Sequence, residues 1–336
     1  GPAKGADGNY YVNLNLSCAG ESRHMFKSGA AWMGSNGGYR GWCLQIAPDG
    51  TTVPFANGIR SPAGIGTGSD GLIYYSDNQG SFFGTSKFHR ISKDKFYGQP
   101  ASLVDLPGLS PDSPELKWEN VQSRNEVAIA LLPHGHLANS PGSPVWNLTK
   151  GKFGPTDGHI FMGDQTLSTL FQIVVNKVDG NEEAAVLPFG KGFPSGVMRS
   201  QFAPDGSLYA GQTGRGWRSQ GGNEAALVHI TYDPAKAKST VENITRSGDT
   251  YTVSFSGPVK IENPSATKIK SWTYLDSPTY GSPKKEQREE KITSAKLAKD
   301  GKSLVLELEP VLDGQRLLQF AIPTKDNPPT IYYSKR

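Results

Sequence analysis

Short apolar runs that alternate with polar residues dominate this chain, and an Asp-Gly pair precedes several of them. In one such run Ile73 and Tyr75 alternate with Tyr74 and Ser76, which is the two-residue period of a β-strand. No window of similar length holds an apolar stripe with the 3.6-residue period of a helix. The pattern therefore predicts many short strands joined by Asp-Gly hairpins, with few and short helices.

The Asp-Gly phrase returns along the first two thirds of the chain. It reads DGNYYVNLN from Asp7, DGLIYYSDNQG from Asp70, DGHIFMGDQT from Asp157 and DGSLYAGQTGRG from Asp205. Two further segments, 58–64 and 192–196, stand at matching distances before Asp70 and Asp205. We expect these repeats to be blades of a β-propeller, with long loops between blades because the spacing is uneven.

Polar residues follow the apolar run in three of the phrases. They are Asp77, Asn78, Gln79, Asp164, Gln165, Thr166, Gln212 and Thr213. If the run is the innermost strand of its blade, these residues line one mouth of the central channel. Each residue taken alone also fits a tight turn after a strand. Their equivalent positions in the repeats favour a shared site.

The composition changes near Lys236. From there onward segments such as 241–255 alternate strictly between apolar and polar residues, and the Gly-Trp phrases are absent. We therefore expect an all-β protein of two domains, with propeller blades in residues 1–235 and a β-sandwich in residues 236–336. The sandwich is predicted to be of immunoglobulin-like or fibronectin-like type.

Composition and charge narrow the function. The 336 residues include 35 Lys+Arg and 31 Asp+Glu, a formal charge of +4, which argues against a nucleic-acid-binding protein. No run approaches the roughly 18 apolar residues of a membrane-spanning helix, and residues 1–12 lack the pattern of a signal peptide. Cys18 and Cys43 are either joined in a disulfide or are two buried thiols.

Four segments of the chain carry a family resemblance. They are GIRSPAGIGTGSDGLIYYSDNQGSFFGTSKFHRI (58–91), KFGPTDGHIFMGDQTLSTLFQIVVNKVDG (152–180), PFGKGFPSGVMRSQFAPDGSLYAGQTGRGW (188–217) and SWTYLDSPTYGSP (271–283). Together they resemble the glucose/sorbosone dehydrogenase family of quinoprotein β-propellers, and in particular a subgroup of planctomycete-type bacteria called membrane-bound dehydrogenases. The resemblance implies a periplasmic or extracellular protein that oxidises a sugar or polyol and passes electrons to a c-type cytochrome.

The resemblance also implies ligands. The sugar dehydrogenases of this family that bind pyrroloquinoline quinone contact it with an Arg-Asn pair, and here Arg60 matches the Arg while Ser61 replaces the Asn. Their calcium-binding turn follows a Gln-Gly step, which is similar to Gln79, Gly80 and Ser81 of this chain. Calcium is therefore an expected cofactor, held by backbone carbonyls and water.

The cationic residues that bind the quinone in this family are replaced by uncharged residues in this chain. The Lys of the family falls at Thr166, and its two later Arg residues fall at Gly196 and Met198. Because charge-assisted hydrogen bonds hold the quinone carboxylates, this counts against pyrroloquinoline quinone in the usual site unless Arg199 or Arg215 replaces those residues.

The catalytic His of the family stands just before a Gly-Pro pair that opens an Asp-Gly phrase. Here Gly1-Pro2 are the first residues, so the matching position lies upstream. We expect the chain to be the C-terminal part of a longer polypeptide. The blades that would complete the propeller have then been cleaved off, are supplied by another chain, or were never present.

Sugar-binding residues are predicted from chemistry as well. Arg215 and Trp217 lie on a Gly-rich loop, and Arg199 is a further cation nearby in sequence. An indole stacks on the apolar face of a pyranose, and a guanidinium binds its hydroxyl or carboxylate groups. Arg60, Gln79 and Gln165 complete the predicted binding set. An Arg stacked on Trp217 for structural reasons is the alternative.

Two residues are candidates for proton transfer. Asp164 would act as a base or bind hydroxyl groups, and His134, in a Pro-rich loop, would take an acid/base or substrate-binding role unless it only packs the loop.

Three functions follow as hypotheses. The first is a sugar dehydrogenase-like oxidoreductase, and the second is a non-catalytic carbohydrate-binding or assembly module. The third is a sugar lyase or hydrolase that uses His134 and Asp164.

Overall fold

The computed structural model describes residues 1–18, 33–110, 112–216, 218–325 and 330–336, without the side chain of Cys18. Antiparallel strands hold far more of the described residues than helices do, and the described helices have no more than six residues. They are the α-helix Trp118–Val121 and the 3-10 helices Pro100–Asp105, Pro114–Leu116, Gln122–Arg124 and Pro264–Ala266. The prediction of an all-β chain with few and short helices is confirmed.

The first half of the chain forms two four-stranded sheets. Sheet 1 contains β1 (Ala3–Lys4), β2 (Tyr10–Asn13), β5 (Trp42–Ile46) and β6 (Thr52–Asn57), in the order β1-β2-β5-β6. A ribbon of β3 (Ser17–Cys18) and β4 (Met33–Gly34) lies between β2 and β5 in sequence. Sheet 2 contains β7 (Gly64–Thr67), β8 (Ile73–Asp77), β9 (Ser86–Ile91) and β10 (Ala130–Leu132), in chain order.

The remaining strands form three sheets. Sheet 3 begins with β11 (Val145–Trp146), β12 (Ile160–Asp164), β13 (Thr169–Val178) and β14 (Asn181–Lys191). It continues through β25 (Ile331–Lys335), β24 (Arg316–Ala321), β20 (Lys268–Thr273) and β21 (Lys285–Glu290). Sheet 4 contains β15 (Val197–Phe202), β16 (Leu208–Thr213) and β17 (Ala225–Ile230). Sheet 5 contains β18 (Val241–Ser247), β19 (Thr250–Phe255), β23 (Ser303–Leu308) and β22 (Ile292–Leu297).

The Asp-Gly phrase has a local structural cause. In the second phrase Asp70 accepts the backbone N–H of Leu72 at 3.0 Å and the hydroxyl of Tyr74 at 2.8 Å. In the first phrase Asp7 binds the hydroxyl of Tyr11 in the same way, at 2.6 Å. The aspartate thus closes the turn and fixes an aromatic side chain at the start of the following strand.

The first strands of sheets 1 to 4 come close together. β1 lies against β7, and β11 lies against β15. A Cβ on Gly64 would be only 2.1 Å from the carbonyl oxygen of Gly142, and one on Gly142 would be 2.4 Å from that of Met198. Only glycine allows this approach of backbones. Meandering sheets whose first strands converge have the organisation of propeller blades.

The C-terminal strands are joined to the blades. β14 pairs with β25, so sheet 3 runs without a break from strands of the first 235 residues into strands of the last 101. Sheet 5 packs on the same sheet through a shared core that includes Tyr251, Phe320 and Tyr333. The predicted boundary at 235/236 and the immunoglobulin-like or fibronectin-like assignment stay predictions.

Glu183 is the polar centre of this junction. Its side chain is fully buried and accepts two hydrogen bonds from Arg246, at 2.7 and 2.9 Å. It also accepts the hydroxyl of Tyr333 at 2.7 Å and the N–H of Arg336 at 3.0 Å. Burial by itself would raise the pKa of Glu183, but these hydrogen bonds lower it below its usual value.

Cys43 is a free cysteine and is fully buried. Burial raises the pKa of its thiol to about 12, so the group is protonated and unreactive at neutral pH. Among the described residues, no helix is long and apolar enough to cross a membrane.

The Glu183→Gln variant should unfold with a free energy about 3–5 kcal/mol lower than that of the unchanged protein, because it removes the buried carboxylate that pairs with Arg246 and leaves that guanidinium only the exposed Asp179, at 3.5 Å, as a carboxylate partner among the described residues. The neighbouring Glu182→Gln change is the matched control. Glu182 pairs with the partly exposed Arg90, and its loss should cost less than about 1 kcal/mol. Urea unfolding measures both, and equal costs would contradict a central role for Glu183.

Candidate functional site

Asp77 and Asp164, which end the strands β8 and β12, hold the loops that lead into the first strand of their own sheets. Asp77 accepts the backbone N–H groups of Arg60 at 2.8 Å and Ser61 at 2.7 Å. Asp164 accepts those of Asn139 at 2.7 Å and Ser140 at 2.6 Å. Both carboxylates are fully buried.

In sheet 4 the side-chain amide of Gln212 takes the place that the aspartate carboxylate has in sheets 2 and 3. Gln212, near the end of β16, accepts the N–H of Ser195 at 2.9 Å through its side-chain oxygen. Three successive sheets therefore share one device, in which a side chain at the end of the second strand accepts from a serine N–H ahead of the first strand. We call these the serine-loop anchors: Asp77, Asp164 and Gln212.

The sequence predicted that the anchors line a channel mouth, but in the structure they do not. The strand that each one ends is the second strand of its sheet, flanked on both sides, and not the innermost one. Its polar end consequently turns inward to satisfy backbone N–H groups of the same sheet. Their common spacing reflects a repeated structural role.

Burial raises the pKa of Asp77 and of Asp164 to about 6, and the hydrogen bonds from backbone N–H groups partly offset this rise. Asp164 also accepts the N–H of Leu167 at 2.7 Å. Because both of its oxygens accept from the backbone, the geometry supports a positioning role. Its assignment as a catalytic base stays a prediction.

Arg60, Gln79 and Gly80 are brought together. The guanidinium of Arg60 donates to the carbonyl oxygen of Gln79 at 3.0 Å and lies over the ring of Tyr280, 5.2 Å from its centre. A Cβ on Gly80 would be 1.9 Å from the guanidinium carbon. The Gln-Gly step therefore makes room for a buried Arg60, whose contacts tie sheet 2 to the C-terminal segment.

The predicted calcium turn engages its carbonyls within the protein. The carbonyl of Gly80 accepts the N–H of Gly281 at 3.0 Å, and that of Ser81 accepts the side chain of Gln99 at 3.2 Å. In the part of the chain that the structure describes, no three His, Cys, Asp or Glu residues form a group able to hold a metal. Calcium stays a prediction.

Arg215 lies apart from Arg60 in an exposed ion pair. Its Nε is 2.6 Å from a carboxylate oxygen of Glu224, and both side chains are mostly exposed. Its carbonyl oxygen accepts the side chain of the buried Gln165 at 3.0 Å. Trp217, predicted to stack on a sugar beside it, lies outside the described residues.

His134 is half-buried, and its backbone N–H donates to Thr85 Oγ1 at 3.2 Å. Burial lowers the pKa of the His134 imidazole, and the nearby His136 lowers it further. The imidazole is therefore neutral at pH 7. Among the described residues no hydrogen bond joins its ring to Asp164. A shared acid/base role for the two stays a prediction.

Arg199 lies elsewhere, in a cleft of about 670 Å³ among the first strands of sheets 1 to 4. We call this the central cleft. Its lining includes Lys4, Thr67, Trp146, Arg199, Gln201 and Tyr209. Arg199 is exposed and donates to the carbonyl oxygen of Met198 at 2.9 Å.

Tyr209 and Trp146 are the cleft residues that the sequence analysis missed. The ring of Tyr209 is 38% exposed and stacks on the ring of His229 at 4.6 Å. Trp146 packs beside Tyr74 with ring centres 5.1 Å apart. The signal in the sequence was the alternation of Leu208 to Thr213, which places Tyr209 on the face opposite to the buried Leu208.

The arginines do not form a quinone site. Arg60 is committed to Gln79 and Tyr280, Arg215 pairs with Glu224, and Arg199 stands in the central cleft. Thr166, at the position of the family Lys, has its hydroxyl 3.4 Å from that of Ser140. Because the three arginines lie apart and Thr166 carries no charge, these residues do not supply the set of cations that holds the carboxylates of pyrroloquinoline quinone, and they do not fit it.

Comparison with known proteins gives weak matches. No protein-family model and no curated protein matches the chain. Among solved structures it is similar to a protein from Thermus thermophilus assigned as an oxidoreductase (glucose dehydrogenase), at 20% identity and a TM-score of 0.46. It is similar also to the quinone-bound aldose sugar dehydrogenase from Streptomyces coelicolor, at 15% identity and a TM-score of 0.44.

A third similar structure is the pyranose dehydrogenase quinone domain from Coprinopsis cinerea, at 10% identity and a TM-score of 0.32, which matches 99% of this chain and 68% of its own. The Thermus and Streptomyces structures each match 68% of this chain. This chain spans 64% and 60% of their lengths, which is less than two thirds. The planctomycete subgroup and the membrane-bound class stay predictions.

The pKa of about 6 for Asp164 predicts a pH effect on stability. Since the folded state raises this pKa above its unfolded value of 3.8, the contribution of the group is full below pH 3.8 and is lost as the pH rises through about 6. The Asp164→Asn change, which costs about 1–3 kcal/mol through mismatched N–H groups, should therefore cost less at pH 7 than at pH 4.

Urea unfolding at both pH values measures this difference, with the exposed Asp112→Asn as control. A cost that grows with pH would show that the backbone N–H bonds outweigh burial.

Proposed function

We propose that the chain binds carbohydrate at the central cleft and does not itself catalyse a reaction. The observation that carries this proposal is the pairing of aromatic faces, Tyr209 and Trp146, with polar groups of Arg199 and Gln201 around one cleft. A sugar presents an apolar ring face to an aromatic ring and hydroxyl groups to amides and guanidinium groups. The sequence resemblance to sugar dehydrogenases supports the same substrate class.

Sheet 4 presents these groups from a fixed frame. Arg199 pairs across the sheet with Gly211, which in turn pairs with Leu227, so the position directly beside Arg199 carries no side chain. Tyr209 lies in the next row between Gln201 and His229. A rigid aromatic ring beside a cation on a sheet loses little conformational entropy when a ligand binds.

Sugar oxidation is the second proposal, because the sequence resembles a family of quinone-dependent enzymes. It would require a quinone, calcium and a c-type cytochrome as electron acceptor. The cations present do not fit the carboxylates of the quinone. Sugar cleavage by His134 and Asp164 has less support, since both oxygens of Asp164 accept from the backbone.

A partner and a location belong to the same proposal. The face of sheet 4 that borders the central cleft exposes Tyr209, at 38%, and Leu227, at 69%. We propose that an upstream segment or a second polypeptide adds blades that contact this face at Leu227 and deepen the central cleft around Tyr209. A periplasmic or extracellular location follows from the resemblance and fits a carbohydrate ligand.

Arg199→Ala and Tyr209→Ala should each weaken carbohydrate binding about tenfold or more, because each removes a direct contact worth about 1.4 kcal/mol or more. Titration calorimetry against a panel of mono- and oligosaccharides identifies the ligand and measures the loss. Arg215→Ala is the matched control, since its side chain pairs with Glu224 and does not line the central cleft. Loss of binding in Arg215→Ala alone would move the site to the loop at 213–218.

Reduction of an artificial electron acceptor should not exceed the sugar-free rate when the protein is supplied with quinone, calcium and the bound sugar. The physical reason is the missing set of cations for the quinone carboxylates. Sugar-dependent turnover would overturn the non-catalytic assignment and favour the dehydrogenase. Binding of sugar without turnover supports it.

A further inference from the structure

A second cleft lies where the blades meet the C-terminal strands. It has a volume of about 490 Å³ and runs between the end of β14 and the segment that enters β18. An adjoining hollow of about 420 Å³ shares Leu187, Pro188 and residues 238–241 with it. We call the pair the junction cleft. Each part has the size of a small-molecule site, and such sites are common at domain junctions.

The floor of the junction cleft is apolar. Leu187, Phe255 and Ile331 line it and are themselves buried, with 2–5% of their surface exposed. Phe189, in the adjoining hollow, is 40% exposed. A ligand with an apolar chain would pack on this floor and cover Phe189, and it would gain about 25 cal/mol for each Å² of apolar surface removed from water.

The charged residues that line the junction cleft are all positive among the described residues. Lys238, Lys260 and Lys325 belong to its lining, and the described lining residues include no Asp or Glu. Among the described residues none of the three lysines forms an ion pair, whereas Lys236 nearby pairs with Asp233 at 3.3 Å. An anion placed beside the apolar floor would therefore meet cations that pair with no carboxylate among the described residues.

We propose that the junction cleft binds an amphiphilic carboxylate, with its apolar chain on the floor formed by Leu187 and Phe255 and its carboxylate beside Lys238 and Lys260. Lysine ammonium groups bind such a head group through charge-assisted hydrogen bonds while their stems cover the chain. The site is separate from the central cleft and does not depend on carbohydrate binding.

Titration of the whole protein with dodecanoate, below the concentration at which it forms micelles, tests the proposal. Dodecanol and dodecyltrimethylammonium serve as neutral and cationic probes with the same chain. We expect dodecanoate to bind at least about tenfold more tightly than dodecanol, and the cation to bind most weakly. Equal affinities for all three probes, or no binding of dodecanoate, would overturn the proposal.

The double variant Lys238→Glu with Lys260→Glu should lose the preference for dodecanoate and retain binding of dodecanol. The matched control, Lys93→Glu with Lys177→Glu, makes the same change in net charge at exposed lysines outside the cleft. Thermal unfolding checks that both variants remain folded. Equal loss of dodecanoate binding in the two variants would show a general charge effect and contradict a defined site.

Discussion

Backbone N–H groups ahead of the first strand in three successive sheets need acceptors, and the serine-loop anchors Asp77, Asp164 and Gln212 supply them. A buried N–H without a partner costs about 1–3 kcal/mol, so these bonds fix where each first strand begins. The close approach of Gly64 to Gly142 depends on the same placement. The shape of the central cleft follows from the anchors, although none of them lines it.

Much of the fold could be predicted from the sequence. The recurring Asp-Gly phrase identified β8, β12 and β16 as equivalent strands, and each is the second strand of its sheet. In the phrase before β8 the physical reason is local, because Asp70 closes the turn and binds Tyr74. The position of those strands within their sheets could not be predicted. Alternation shows which residues share a face, but innermost and second strands alternate alike. Asp77 and Asp164 were therefore placed at a channel mouth, whereas their side chains are buried.

The candidate site was predictable only in part. Arg199 was identified as a cation able to bind sugar, and it lies in the central cleft. Arg60 and Arg215 appeared equivalent to it in sequence, but their partners Tyr280 and Glu224 are brought to them by folding. Tyr209 was overlooked because an aromatic residue in a strand is usually part of the core. Its exposure depends on what covers sheet 4, which local sequence does not contain.

Hydrogen-exchange mass spectrometry of the protein with and without a saturating oligosaccharide tests the central claim most directly. If carbohydrate binds in the central cleft, amide exchange should slow in β7, β11 and β15, three of the strands that line it. The loop at 213–218 should exchange at the same rate in both samples. Protection confined to that loop, with no change in the three strands, would contradict the account.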